Sequence, residues 1–163
     1  MSAFKQLLEN NDKYSSTFSK GSLPMPPAKK ISMVVCMDAR MVTGSFLGLQ
    51  EGDAHVIRNA GGIVTDDVIR SLAISQHMQG TREIMLIHHT DCGMLTFTDA
   101  EFKQRLYDKT GTRPEFSIGT FSDLENSVRE SIQQIKNSPF IPHKDQVRGF
   151  IYDVKTGKLN EVN

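Results

Sequence analysis

The chain is short of the features that would give it away quickly. It has two cysteines among 163 residues, too few for a disulfide framework. Nineteen Lys and Arg balance nineteen Asp and Glu, so the net charge is zero. That excludes the basic excess of a typical nucleic-acid binder. No apolar run nears the roughly 20 residues of a membrane span. The first ten residues, Met1 to Asn10, lack the apolar stretch of a signal peptide. With Glu9, Asp12 and no Arg, the N-terminus also makes a poor transit peptide. A cytoplasmic protein with two reduced thiols is the expectation.

Length suits one α/β domain covering residues 1–163. Phe4, Leu7 and Leu8 fall at i, i+3, i+4, so a short amphipathic helix is expected over residues 2–12. A stretch with three prolines, residues 19–30, makes the first 30 residues an arm. Its helix could fold back on its own domain or lie on a partner subunit. Ile31–Cys36, Ala54–Arg58 and Glu83–His88 read as strands, the first and third as continuous apolar runs suited to a buried parallel sheet. Thr65 caps a helix that runs to Gln79 and stops at Gly80, with Val68, Ile69, Leu72 and Met78 offered to the core. Strand, helix and strand in sequence predict a mostly parallel sheet flanked by helices. Residues 94–108 look helical but irregular, 110–120 a loop, 122–136 a helix, and 147–154 a strand that turns into a short hairpin with 159–162.

The rare residue types sit where chemistry is expected. Cys36 ends the first strand and His89-Thr90-Asp91-Cys92-Gly93 ends the third. Open α/β sheets place their crevice beyond the carboxyl ends of strands. Two thiolates and one imidazole suit tetrahedral zinc, with a fourth position left open. A helix beginning near Gly93 would favour a Cys92 thiolate. Spacing alone leaves unrelated buried thiols equally open; a redox pair lacks the usual Cys-x-x-Cys. Asp38 and Arg40 follow Cys36 at alternate positions, where Asp38 could accept a hydrogen bond from a zinc-activated hydroxide while Arg40 clamps it. Alone, the two read better as a surface ion pair of little energetic weight.

Together these residues resemble a known signature. Cys36-x-Asp38-x-Arg40 with His89-x-x-Cys92-Gly93 is similar to the zinc-site pattern of β-class carbonic anhydrases, and Gly52 to Gly61 resembles that family's intervening stretch. The resemblance is close over residues 30–95 and reaches the last third only in layout. It implies a zinc lyase, one Zn²⁺ per chain on Cys36, His89 and Cys92, that hydrates carbon dioxide reversibly to bicarbonate and a proton. Asp38 and Arg40 would be its catalytic dyad. It also implies a homodimer or higher homo-oligomer with N-terminal helices wrapped on the partner, and no nucleic-acid or membrane partner. Two anionic thiolates neutralise zinc, so activity should favour mildly alkaline pH.

The chain has His55 where many members of that family have a phenylalanine, and it departs from plant-type members in having Ile74 for a tyrosine and Pro24-Met25-Pro26-Pro27 in the region of a glutamine. Two rival readings remain: a carbon disulfide or carbonyl sulfide hydrolase on the same scaffold, and a non-catalytic module in which zinc takes a fourth protein ligand. His55 reads as a proton shuttle or as a solvent-facing residue at a subunit seam. His88, opposite His89 on its strand, reads as a core or supporting residue.

Overall fold

Residues 2–163 are described by a computed structural model. Five strands form one sheet in the order β2-β1-β3-β4-β5. They are β1 (Ile31–Cys36), β2 (Ala54–Asn59), β3 (Glu83–His89), β4 (Val147–Tyr152) and β5 (Leu159–Val162). The first four are parallel, and β5 returns antiparallel along β4. β2 and β3 therefore do not pair; both flank β1, and the crossover between them passes β1. The chain leaves β1 toward β2 and leaves β3 toward β4. The loops after β1 and β3 diverge, which opens a crevice between these two strands.

Alternation along the strands feeds two apolar layers. Val34, Ile84 and Leu86 face α3 (Asp66–Gln79) and α5 (Leu124–Asn137), where they meet Val68, Leu72 and Ile135. Met33, Val35 and Ile87 face the other side, against Met41, Met94 and α2 (Thr43–Leu47). Burial on both faces is why β1 and β3 read as continuous apolar runs.

Local chemistry sets the helix ends. Thr65 Oγ1 accepts the Val68 N–H at 3.3 Å, Asp66 and Asp67 occupy the positive first turn, and Gly80 closes α3 in the left-handed conformation. The irregular helix expected over 94–108 is two elements. A single 3-10 turn covers Gly93–Leu95, and α4 runs over Asp99–Thr110. Thr98 and Glu101 form a reciprocal capping box at the start of α4. The expected helix at Gly93 is thus too short to supply a helix dipole to Cys92. α1 covers Ala3–Ser15, three residues beyond the expected end. β4 stops at Tyr152 rather than Val154, because Asp153 begins the hairpin turn by donating its N–H to Lys158 O. α2 was not foreseen. Met78, offered to the core by its spacing, points outward at 73% exposure.

The far ends of the strands carry a polar knot. Ser32 donates to Thr81 Oγ1 at 3.2 Å, Ser75 lies 2.7 Å from Thr81 and 2.6 Å from Ser32, and His55 Nδ1 lies 2.7 Å from Ser75 Oγ. The three hydroxyls can close a ring of donors, and His55 supplies the fourth proton. Ser32 pairs with His55, four residues before Cys36. His55 is thus roughly 13 Å along the strand from Cys36. The direct proton-shuttle reading of His55 is corrected.

Candidate metal centre at the β1–β3 crevice

Neighbouring parallel strands bring the two halves of the signature together. Cys36 is the last residue of β1, and His89 the last of β3. Cys92 follows in the tight turn after β3. All three are buried, and their donor atoms lie within 4.8 Å of one another. The two sulfurs are 4.0 Å apart. Tetrahedral Zn–S bonds of about 2.3 Å would place sulfurs about 3.8 Å apart.

The imidazole is fixed for the same purpose. His89 Nδ1 is 2.8 Å from Thr90 O, so Nδ1 carries the proton. Nε2 is left with a lone pair, buried and without a hydrogen-bond partner. A buried acceptor facing two thiols is satisfied by a thiol proton or by a cation held among all three. The donor set fits zinc and would supply three ligands to it.

The sulfurs divide one proton between them. The contact between the two sulfurs lowers the Cys36 thiol from its ordinary range, against the cost of burial. The same sharing pushes Cys92 up. The Met94 N–H favours the Cys92 thiolate, in place of the helix once expected.

Asp38 and Arg40 pair as the alternate spacing suggests. Arg40 donates from Nε to Asp38 Oδ1 at 2.9 Å and from Nη2 to Oδ2 at 2.8 Å, and the Arg40 amide adds a third bond at 2.9 Å. These donors hold the Asp38 carboxyl well below the usual carboxylate range. Asp38 Oδ2 stands 3.8 Å from His89 Nε2, close enough to reach a metal if released.

Two residues flank the cluster, of which Arg58 escaped the sequence reading. Arg58, on β2, donates to Cys36 O at 3.0 Å and to Asp38 O at 2.7 Å. Gly62 sits at φ 68°, and a Cβ there would lie 2.8 Å from Cys36 N. Only glycine lets this turn cross so close to the ligand strand. Gly62 O lies 3.1 Å from His88 Nε2. Burial pushes His88 down to about 4, so this donor is a neutral imidazole that supports the turn. His88 is a core residue, as read.

A cavity of about 570 Å³ adjoins the cluster, lined by Cys36, Asp38, Asn59, His89 and Cys92 and by apolar Met94, Phe97, Phe102, Phe116 and Ile118. His55, Ile74 and the Pro24–Pro27 segment do not line it.

The carbonic anhydrase family profile matches residues 31–115, the span that carries all five of these site residues. The β-carbonic anhydrase 1 of Mycobacterium tuberculosis is 57% identical over 162 residues, covering 99% of each chain. The chain belongs to the β-class carbonic anhydrases. A crystal structure of carbonic anhydrase from Streptococcus mutans superposes with a TM-score of 0.94 at 47% identity, covering 100% of this chain and 99% of that one. A carbon disulfide hydrolase of Saccharolobus solfataricus is 33% identical, over 94% of this chain and 86% of its own. The β-class carbonic anhydrase scaffold thus matches along its whole length, beyond the residues that carried the sequence resemblance.

Proposed function

We propose that the chain is a zinc-dependent carbonate dehydratase that hydrates carbon dioxide reversibly to bicarbonate and a proton. The observation that carries this is a Cys36–His89–Cys92 donor set beside an ionised Asp38 and an apolar cavity. Bound there, zinc would supply the Lewis acidity that makes hydroxide available from water near neutral pH. The chain's own residues do the rest. Met94, Phe97, Phe102 and Phe116 receive a small apolar substrate and exclude water from it. Asp38 is held ionised, so it can only accept a hydrogen bond. It would accept a hydrogen bond from the attacking oxygen and so aim that oxygen's lone pair at the substrate carbon. Arg40 keeps Asp38 in that place. Identity of 57% to a β-carbonic anhydrase against 33% to a carbon disulfide hydrolase favours carbon dioxide as the substrate.

The test is zinc content with stopped-flow hydration on the purified chain. One zinc per chain and hydration that is lost on zinc removal are expected. Hydrolysis of carbon disulfide or carbonyl sulfide without hydration would shift the reading to the rival hydrolase. Stoichiometric zinc with no turnover of any of the three would make the site structural.

The proposal extends to a homo-oligomer in which α1 lies on the partner. Phe4, Leu7 and Leu8 are 81%, 64% and 66% exposed, and no residue of α1 is buried. The root of the arm is tied to its own subunit, where Tyr14 and Lys20 both donate to Glu51 at 2.9 and 2.7 Å. The apolar stripe then points away from the domain that anchors it. Deleting residues 1–20 is expected to weaken self-association at least about tenfold, since burying one such side chain contributes about 1.5–3 kcal/mol. Sedimentation at falling concentration measures it; an unchanged dimer would assign the arm to its own subunit. A cytoplasmic location completes the proposal, supported by two thiols that must stay reduced to act as ligands. No helix among the described residues is long and apolar enough to cross a membrane.

A further inference from the structure

Asp38 and Arg40 are neighbours in the chain, and Arg58 holds the Asp38 backbone against β2 at 2.7 Å, which leaves the placement of their paired side chains open. Their mutual bonds hold the two side chains together. They do not fix where the pair sits relative to His89 and Cys92, which belong to a different loop. A residue on that second loop must supply the reference point.

The geometry points to Asp91 as that positioning residue, a reading that rests on the function proposed above. Arg40 spends one edge of its guanidinium on Asp38, from Nε and Nη2. The other edge goes to Asp91: Nη1 donates to Oδ2 at 2.8 Å and Nη2 to the backbone O at 3.1 Å. Four of the five N–H donors are thereby used, and both edges of a rigid plane are fixed. Asp91 lies between the two ligands His89 and Cys92. Its backbone is left-handed, with φ 55°. Aspartate is one of the few non-glycine residues that adopt this conformation, and it carries a conformational cost. Here the turn lets the carbonyl and the carboxylate face the same guanidinium.

The turn is braced from its other side as well. The Thr90 N–H donates to Tyr152 O at 3.0 Å, and Thr90 Oγ1 accepts the Val154 N–H at 3.1 Å. The His89–Cys92 turn is therefore fixed to β4 by Thr90 and to the β1 loop by Asp91. Exposure of the Asp91 side chain, at 71%, weakens its ion pair. The carbonyl contact is a second tie that does not depend on charge. Without the Asp91 carboxylate only the carbonyl tie at Nη2 remains, so the paired Arg40 and Asp38 side chains can shift and carry the Asp38 carboxylate from its stand-off of 3.8 Å to His89 Nε2.

The test uses Asp91→Gly and Asp91→Asn in the full-length, zinc-loaded chain. Glycine keeps the left-handed turn and its carbonyl but removes the carboxylate; asparagine keeps a side-chain acceptor. Asp91→Gly is expected to hold its zinc and melt no lower than wild type, because the backbone cost is relieved. Its kcat for hydration is expected to fall about tenfold, the size typical of lost support around metal ligands. Its crystal structure should show the Asp38–Arg40 pair displaced. Asp91→Asn should recover most of the rate. A wild-type rate in Asp91→Gly overturns the assignment. So does a rate loss that only tracks lost zinc or a lower melting temperature. If the wild-type chain does not hydrate carbon dioxide, the functional reading fails by itself. The displacement of Asp38 in the Asp91→Gly crystal, or its absence, then decides the role of Asp91.

Discussion

Replacing Cys92 by Ser is expected to strip the chain of both its metal and its activity. The two side chains differ by one atom and Cys92 is almost fully buried, so the substitution leaves the packing of the sheet intact. What changes is the donor. A thiol gives up its proton to a metal readily, whereas a serine hydroxyl keeps its proton and binds zinc weakly. Only Cys36 and His89 then remain, and two protein ligands do not hold zinc against dilution. Support residues around metal sites cost about 10–100-fold in affinity when lost, so losing a ligand itself should exceed that range. Zinc content after dialysis, with circular dichroism to confirm the fold, measures it. Full zinc occupancy in the serine variant would rule out this ligand set.

Arg40→Ala should separate metal binding from turnover. The variant keeps Cys36, His89 and Cys92, so its zinc stays. It loses the two side-chain bonds that hold Asp38 back and retains only the bond from the residue 40 amide to Oδ1. Carboxylate oxygen is an acceptable zinc ligand. Freed from Arg40, Asp38 is expected to turn from its stand-off near His89 Nε2 onto the metal and block the position that water needs. Activity should fall by at least about 10–100-fold. Lysine at 40 would rescue poorly, since a point charge cannot match the two-pronged contact. The double change Arg40→Ala with Asp38→Ala should reopen the position yet leave the rate low, because the acceptor that orients the attacking oxygen is gone. A crystal structure or zinc X-ray absorption spectrum of Arg40→Ala, paired with its hydration rate, is the measurement. A near-native rate with water still on the metal would show that Arg40 is not the restraint.

The metal cluster and the dyad were legible because they use rare residue types at strand ends. With only two cysteines in the chain, each following an apolar run, their convergence could be argued from a parallel sheet before any coordinates. The strands of the parallel core were legible for a related reason: burial on both faces leaves unbroken apolar runs. Other features left no periodic trace. Phe97, Phe102, Phe116 and Ile118 come from the bend before α4, from α4 itself and from the loop after it, so no pattern marks them as one cavity wall. α2 has five residues, a glycine inside it and no side-chain cap. Met78 has core spacing, yet α3 turns it to solvent. Asp91 reads as an ordinary turn residue, because its role lies in a contact with a residue 51 positions away. Local patterns report local structure, and the Arg40–Asp91 tie is not local.

The same non-locality governs how the protein comes to exist. Cys36 and Cys92 meet across 56 positions, and the first pair of the β1–β3 ladder, Ile31 with Glu83, spans 52 (83 − 31). Closing loops of that length costs entropy before any contact returns it, and such pairings form slowly. An unfolded or half-folded chain holds each donor separately and presents no chelate. The three ligands become one site only when the central strands have docked and the 60–63 turn has crossed over Cys36. A metal ion that needs all three donors can therefore be held only once the sheet's centre is complete.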